Sequence, residues 1–381
     1  MSLNLHTLLF KTVNYCNLDC DYCYVRSFNA GHAQKVLSDE IASRAINDYA
    51  ELAKAGRGTG PNGRWMAFIW HGGEPTLAGI EFFERVTHLQ RRTGLSESTI
   101  NSLTTNGILI DEHWSEFLRR NHFRISISID GPSHIHDMHR FYQHKESSFN
   151  SVLKGINVLK RAALPFGAIC VISEESVANV QEIFEFFMSH DFTRLAFIPR
   201  VSQESWLPAN EYALFMTKIF DLWLQHDDPN VHIREFENII HELLGGQAEL
   251  CEFNGCCGSY VAIDYNGSVY LCDLFIGNDI MKIGNILEQN LTQILDSAHT
   301  IAKVNRKCCL NRECFACKYF PICKGGCLYR RCLTCGNPSG KDVYCEAKKR
   351  IILHISRRLS ELTAPVALGH PVVPVADGLG G

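Results

Sequence analysis

The 381-residue sequence predicts an α/β fold in which a parallel sheet of βα units is followed by a small, metal-organised region. Three observations carry this prediction. Six short apolar stretches alternate with six helical patterns between residues 6 and 226, the order that builds a parallel sheet with helices on its faces. Most of these stretches are apolar along their whole length, as strands are when both faces are covered. Beyond residue 251 the alternation stops, and thirteen of the seventeen cysteines fall within 251–345. There, metal rather than a large apolar core is expected to set the structure.

In order, residues 6–13 (HTLLFKTV) read as a buried strand, and a cysteine loop follows directly. Ser38 is a candidate N-cap for a helix with apolar positions at Ile41, Ala45, Tyr49 and Leu52. After a Gly-rich loop at 56–63, residues 66–70 form the second strand and Phe82, Phe83, Val86 and Leu89 mark the second helix. Strands at 99–104, 124–129, 166–172 and 194–199 then alternate with helices at 111–121, 150–163, 177–190 and 209–226. Two short strands, 260–265 and 268–271, flank Asn266-Gly267, a hairpin turn signal. Residues 344–362 read as a closing helix, and the tail from 364 is expected to be mobile. The domains are therefore expected at 1–226 and 251–363, joined by a connecting segment at 227–250 and followed by the tail at 364–381.

The chemistry centres on Cys16, Cys20 and Cys23, a C-x3-C-x2-C loop with Tyr24 directly after it. Three close thiolates suit iron or another soft metal, and three is one fewer than a closed four-cysteine site needs. Such a site leaves one iron open, although three buried free thiols or a small zinc loop are the plainer alternatives. Gly72-Gly73-Glu74-Pro75 ends the second strand, where glycines allow close backbone approach and Glu74 could accept from an ammonium.

Together these stretches resemble the radical S-adenosylmethionine (SAM) enzymes, in which the open iron chelates SAM and reductive cleavage yields a 5′-deoxyadenosyl radical. The resemblance implies a partial (β/α)6 barrel with its chemistry at the C-terminal strand ends. It implies SAM contacts from Tyr22, Gly72, Gly73, Glu74, Ser128, Asp130 and Arg140. An ordinary turn is the alternative at Asn106-Gly107 and at Asp130-Gly131.

The later cysteines run Cys257-x9-Gly267-x4-Cys272, then Cys314-x2-Cys317-x5-Cys323-x3-Cys327, then Cys345. This pattern resembles the SPASM extension and within it the anaerobic sulfatase-maturating enzymes. Long runs such as GGEPTLAGIEFF at 72–83 add to the likeness. The resemblance implies two auxiliary 4Fe–4S clusters besides the SAM-binding one. Cys251, Cys257, Cys272 and Cys327 would hold the first, with Cys256 the rival to Cys251, and Cys314, Cys317, Cys323 and Cys345 the second. Zinc is the alternative filling for this region. Cys170 reads as a core thiol, and Cys332-x2-Cys335 as structural thiols with a redox or ligand role open, while Cys308 and Cys309 are left without a role. Basic residues from Arg306 and Lys307 to Lys348–Arg350, Arg330 and Arg331 among them, are expected to balance cluster charge.

By the same resemblance Asp273, next to Cys272, would take a proton from the substrate, the alternative being a turn carboxylate. The implied reaction is hydrogen abstraction from a peptide or protein side chain, leaning to oxidation of cysteine or serine to formylglycine. Val25, where that group commonly has a second aromatic or polar residue, keeps a second reading open: a ribosomal-peptide maturase forming carbon–carbon or thioether cross-links. A non-enzymatic electron-transfer or metal-storage protein is the third reading, disfavoured by the open-iron loop.

The expected partners are a peptide or protein substrate and an external electron donor such as flavodoxin or ferredoxin. A formal charge of −4 gives no reason to expect nucleic acid or a membrane surface. No apolar run reaches the ~18 residues of a membrane span, and residues 1–6 lack signal-peptide character, so the expected location is cytoplasmic.

Overall fold

A computed structural model describes residues 3–25, 33–58, 66–95, 99–202, 205–255, 257–297, 299–301 and 310–363, the side chains of residues 280 and 335 apart. Cys256, Cys308, Cys309, Arg306, Lys307, the side chain of Cys335 and the tail from 364 lie outside the described residues.

Six parallel strands form the centre in sequence order: β1 (Thr7–Lys11), β2 (Met66–His71), β3 (Thr99–Thr105), β4 (Arg124–Ser128), β5 (Phe166–Ile172) and β6 (Arg194–Pro199). All six expected strands are present. The sheet is nevertheless wider than six strands, and it stays open. A two-residue strand, β7 (His232–Ile233), extends one edge from within the expected connecting segment, which also holds a helix, Arg234–Leu243. On the other edge the sheet crosses the expected domain boundary. Strand β8 (Tyr260–Ile263) pairs in parallel with β1, and β9 (Ser268–Tyr270) and β10 (Lys282–Asn285) follow antiparallel. The Asn266-Gly267 hairpin is present, with Gly267 at φ +83°, but it serves as the edge of the main sheet.

The helices follow the same logic. Ser38 caps α1 (Asp39–Lys54) by accepting from the Ile41 amide, and Asp111 caps α3 (Glu112–Arg120) through the Trp114 amide. Between them lies α2 (Ile80–Arg92). Two features differ from the sequence reading. A short helix, α4 (Ser133–His139), stands between β4 and α5 (Phe149–Arg161), and the helix expected at 177–190 breaks at Asn179 into Glu174–Ala178 and Val180–Ser189. Both are too short for an apolar period to show. The helix Ala209–His226 packs against the closing helix Cys345–Thr363, tying the cysteine-rich region back to the sheet's helical layer.

The core begins with Phe10, Phe68 and Trp70 on β1 and β2, where the Phe10 and Trp70 rings stack 4.9 Å apart. The Trp70 indole donates to Asn101 at 2.9 Å, and Asn101 exchanges hydrogen bonds with Gln90, so this buried polar group is fully satisfied. Among the described residues, no helix is long and apolar enough to cross a membrane.

His136, fully buried on α4, bonds Ser148 at 3.0 Å. Burial pushes its ring down to about 4. Its native pKa lies below the unfolded one, so the unfolded chain binds the extra proton and stability falls as pH drops through the window from about 6.5 to about 4. Between about pH 7.5 and about pH 5.5 the parent should lose about 1 kcal/mol more stability than His136→Asn, read as the difference in denaturant midpoints. Equal losses would show that His136 is not a source of acid sensitivity.

Candidate active site

The C-terminal ends of β1 to β6 surround a cleft enclosing about 1410 Å³, and nearly every residue singled out in the barrel sequence faces it. Cys16, Cys20 and Cys23 form one wall, with Gly72, Gly73 and Glu74 after β2 beside them. The cysteine loop lies against the end of β2 because Gly73 and Glu74 donate backbone bonds to Val13 and Tyr15, both at 2.9 Å. Gly72 has φ +144°, and a side chain on Gly73 would collide with the Tyr15 carbonyl, so neither position tolerates a Cβ.

Glu74 lines the cleft and also serves as a joint within the fold. Its carboxylate is buried and accepts four hydrogen bonds: from the Thr76 amide at 3.1 Å, the Thr76 and Thr105 hydroxyls at 2.6 Å each, and the Asn106 amide at 2.7 Å. Three of these bonds fall on Oε1 and one, from the Asn106 amide, on Oε2, so among the described residues Oε2 keeps a second acceptor position. Glu74 thereby pins the end of β2 to the end of β3. Asn106, fixed by this bond, donates to Asn17 inside the cysteine loop at 2.8 Å.

On the opposite wall Asp130 is buried and accepts from the Tyr22 hydroxyl, from Arg140 at 3.0 Å and from the Val171 amide at 3.0 Å. Ser128, Tyr22 and Arg140 line the cleft, while Asp130 stands behind them and holds two of them in place. The Arg140 guanidinium also lies over the Tyr22 ring, 5.4 Å from its centroid.

Asp273 lines the cleft and sits in a cage that the sequence did not disclose. Its oxygens accept from the Tyr24 hydroxyl at 2.6 Å and the Tyr260 hydroxyl at 2.7 Å, and the Lys11 ammonium lies at 3.7 Å. Lys11 also donates to Tyr24 at 2.7 Å and lies 3.3 Å from His71. Burial alone would push the Asp273 carboxyl up, but Lys11 and the two hydroxyls outweigh it and hold the group at about 2. Burial, then Lys11, pushes His71 down to about 3, so the ring is neutral near pH 7. One clue was available in the sequence: a lysine inside the apolar run HTLLFKTV requires a buried partner. Tyr24, His71 and Tyr260 carried no comparable signal.

Two further cavities accompany the cleft. Cys251, Cys257, Cys272 and Cys327 line one of about 370 Å³. Cys314, Cys317, Cys323 and Cys345 line another of about 560 Å³. These are the two foursomes that the resemblance implies. Among the described residues no three Cys, His, Asp or Glu side chains close on a single-ion position. Burial pushes the Cys20 thiol up to about 12 and drives the Cys272 thiol well above its ordinary range. Thiols held in this way become thiolates when a cation compensates them, so both rings and the three-cysteine wall fit iron–sulfur clusters. Cys170 is a buried core thiol, as expected, and Cys332 packs in the small apolar cluster beneath the first ring. Arg330 and Lys348, read as balancing cluster charge, are paired with Glu252 and Asp342.

The chain matches the family model of the radical SAM superfamily over residues 10–187 and that of the SPASM iron–sulfur cluster-binding domain over residues 251–327. It is 32% identical to a cysteine-type anaerobic sulfatase-maturating enzyme of Clostridium perfringens, an alignment covering 93% of this chain and 97% of the relative. A serine-type anaerobic sulfatase-maturating enzyme of Bacteroides thetaiotaomicron is 27% identical over 90% of this chain and 87% of its own. The solved structure of native anSMEcpe with bound AdoMet and Cp18Cys peptide superposes with a TM-score of 0.82 at 28% identity, covering 93% of this chain and 98% of that one.

The geometry of Glu74 can be tested against a direct role in ligand binding. Glu74→Gln can keep its oxygen toward Thr76 and Thr105 but then turns its NH2 toward the Asn106 amide, itself a donor, so it should cost about 1–3 kcal/mol in thermal unfolding while leaving the KM for SAM unchanged. A raised KM at unchanged stability would return Glu74 to the SAM site.

Proposed function

The chain belongs to the anaerobic sulfatase-maturating family of radical SAM enzymes, and from this premise we propose that it oxidises a cysteine or serine of a peptide or protein to formylglycine. The observation that supports this most directly is Asp273, an ionised carboxylate held in the same cleft as the three-cysteine wall.

In this reading Cys16, Cys20 and Cys23 hold the catalytic 4Fe–4S cluster, with SAM on its open iron. Arg140 and Ser128 contact SAM from the cleft wall, and Tyr22 and Asp130 orient Arg140. Gly72 and Gly73 let the backbone approach SAM, and Glu74 supports them from behind. Cys251, Cys257, Cys272 and Cys327 hold one auxiliary cluster, and Cys314, Cys317, Cys323 and Cys345 the other. When bound, these groups supply a hydrogen-abstracting radical and a sink for one electron, and an external flavodoxin or ferredoxin supplies the reducing electron.

Asp273 receives the substrate proton. A carboxylate of such low basicity is poorly matched to a resting thiol or hydroxyl, but it is ionised throughout the working pH range. Loss of the β-hydrogen makes the neighbouring S–H or O–H far more acidic, and only then does transfer to Asp273 become favourable. A serine thus loses two hydrogens in total. A cysteine loses the same two and then exchanges sulfur for the oxygen of water. Lys11, Tyr24 and Tyr260 hold the carboxylate at the place where that proton is released.

One observation favours the cross-linking alternative. Val25, directly after Tyr24, faces the cleft without a polar group, while the Tyr24 hydroxyl is already committed to Asp273. The substrate would then meet a more apolar surface than a second aromatic or polar residue would give.

Anaerobically reconstituted protein should contain about twelve irons, and Cys16, Cys20 and Cys23 together changed to alanine should remove about a third of them with all SAM cleavage. Retained cleavage would move the catalytic site elsewhere. The reaction is checked with a short peptide carrying Cys or Ser before an x-Pro-x-Arg run. The product should react with an aldehyde probe, and Asp273→Asn should suppress it by roughly 10²–10⁴-fold while SAM cleavage and iron content persist. No aldehyde from this peptide, together with a two-hydrogen loss and linked side chains in the enzyme's own precursor, would establish the cross-linking reading.

A further inference from the structure

We propose that Asp342 is a positioning residue shared by the two auxiliary cysteine rings, fixing one ligand of each and setting both reduction potentials together. The proposal rests on the reading that both rings hold iron–sulfur clusters.

Asp342 is buried, its carboxylate reaching the first ring and its backbone carbonyl the second. One oxygen accepts the backbone N–H of Cys327, a member of the first ring, at 2.8 Å. The other accepts the amide of Tyr344 at 2.9 Å, and the backbone carbonyl of Asp342 accepts the amide of Cys345, a member of the second ring, at 2.8 Å. Asp342 also lines the second ring's cavity. Gly326, at φ +76°, makes the approach possible, because a Cβ there would collide with the carboxylate. The Gly-Cys pair 326–327 thus meets the carboxylate on one oxygen and the Tyr344 amide meets it on the other, while Cys345 is held by the backbone carbonyl of the same residue.

Charge connects the same places. Asp342 pairs with Arg330 at 3.2 Å and with Lys348 at 3.0 Å, and Glu252, adjacent to Cys251, pairs with both of those cations. Arg330 lines the active-site cleft, and Lys348 lines the second ring's cavity. Two anions and two cations, largely excluded from water, therefore form one neutral unit between the cleft and both rings. A buried ion pair is by itself weak evidence for any role beyond packing. What singles out Asp342 is that its carboxylate and backbone together hold a cysteine from each ring, an arrangement a merely structural pair has no need of. Removing its charge leaves Arg330 and Lys348 opposed by Glu252 alone, a net positive change next to both rings. Cluster potentials respond to nearby charge and to hydrogen bonds around the thiolates, so both should rise.

The test is a redox titration of the whole reconstituted protein followed by electron paramagnetic resonance. Cys257→Ala and Cys314→Ala should each abolish one auxiliary signal; if neither does, the ring reading itself fails and the proposal falls with it. With those controls in place, Asp342→Asn should shift both auxiliary signals to higher potential, or remove both, while the SAM-site signal and SAM cleavage stay as in the parent. A shift confined to one signal, or no shift, would overturn the proposal. Lys348→Met guards against a folding failure of Asp342→Asn, because loss of a cation should move both auxiliary potentials the opposite way. A shift of the same sign in both variants, or an unmoved pair in Lys348→Met, would count equally against it.

Discussion

The parallel pairing of β1 with β8 is the interaction on which the rest of the site depends. Through Thr7–Phe10 against Tyr260–Ile263 it joins the cysteine-rich region to the sheet as a neighbouring strand rather than as a tethered module. Lys11, on β1, is thereby brought to Asp273, which follows the β8–β9 hairpin, across a sequence separation too long for any local rule. The carboxylate expected to receive a proton and the loop expected to hold the catalytic cluster meet because these two strands pair.

Charge compensation then sets the character of each site. The cleft holds buried carboxylates with distinct duties. Glu74, satisfied by four neutral donors, joins strand ends. Asp130, bonded to Arg140 and Tyr22, arranges a cation and an aromatic ring at the wall. Asp273, near Lys11 and between two tyrosine hydroxyls, stays ionised and faces the cavity. Burying a charge without partners is costly, so each carboxylate marks a place where the fold has committed several residues to one function.

The cysteine cavities extend this principle to sulfur. Thiols pushed upward by burial are poor nucleophiles and stable spectators until a metal binds. Cys327 lines both the first ring's cavity and the active-site cleft.

The sequence by itself determined the periodic and the covalent features: six strands with their helices, the Ser38 cap, the Asn266-Gly267 turn and the crowding of cysteines beyond residue 251. These follow from local spacing and side-chain type, which act over a few residues. The tertiary structure alone decided where polar groups find partners. Glu74 reads as a ligand contact in its motif, and only the fold shows that Thr105 and Asn106, at the end of the next strand, also bond it. Arg330 and Lys348 read as cations for the clusters, yet Glu252 and Asp342 neutralise them. The cage of Lys11, Tyr24 and Tyr260 around Asp273 had no pattern to announce it. A hydrogen bond or an ion pair is fixed by ångström-scale approach between distant segments, and that approach exists only once the sheet has set its register.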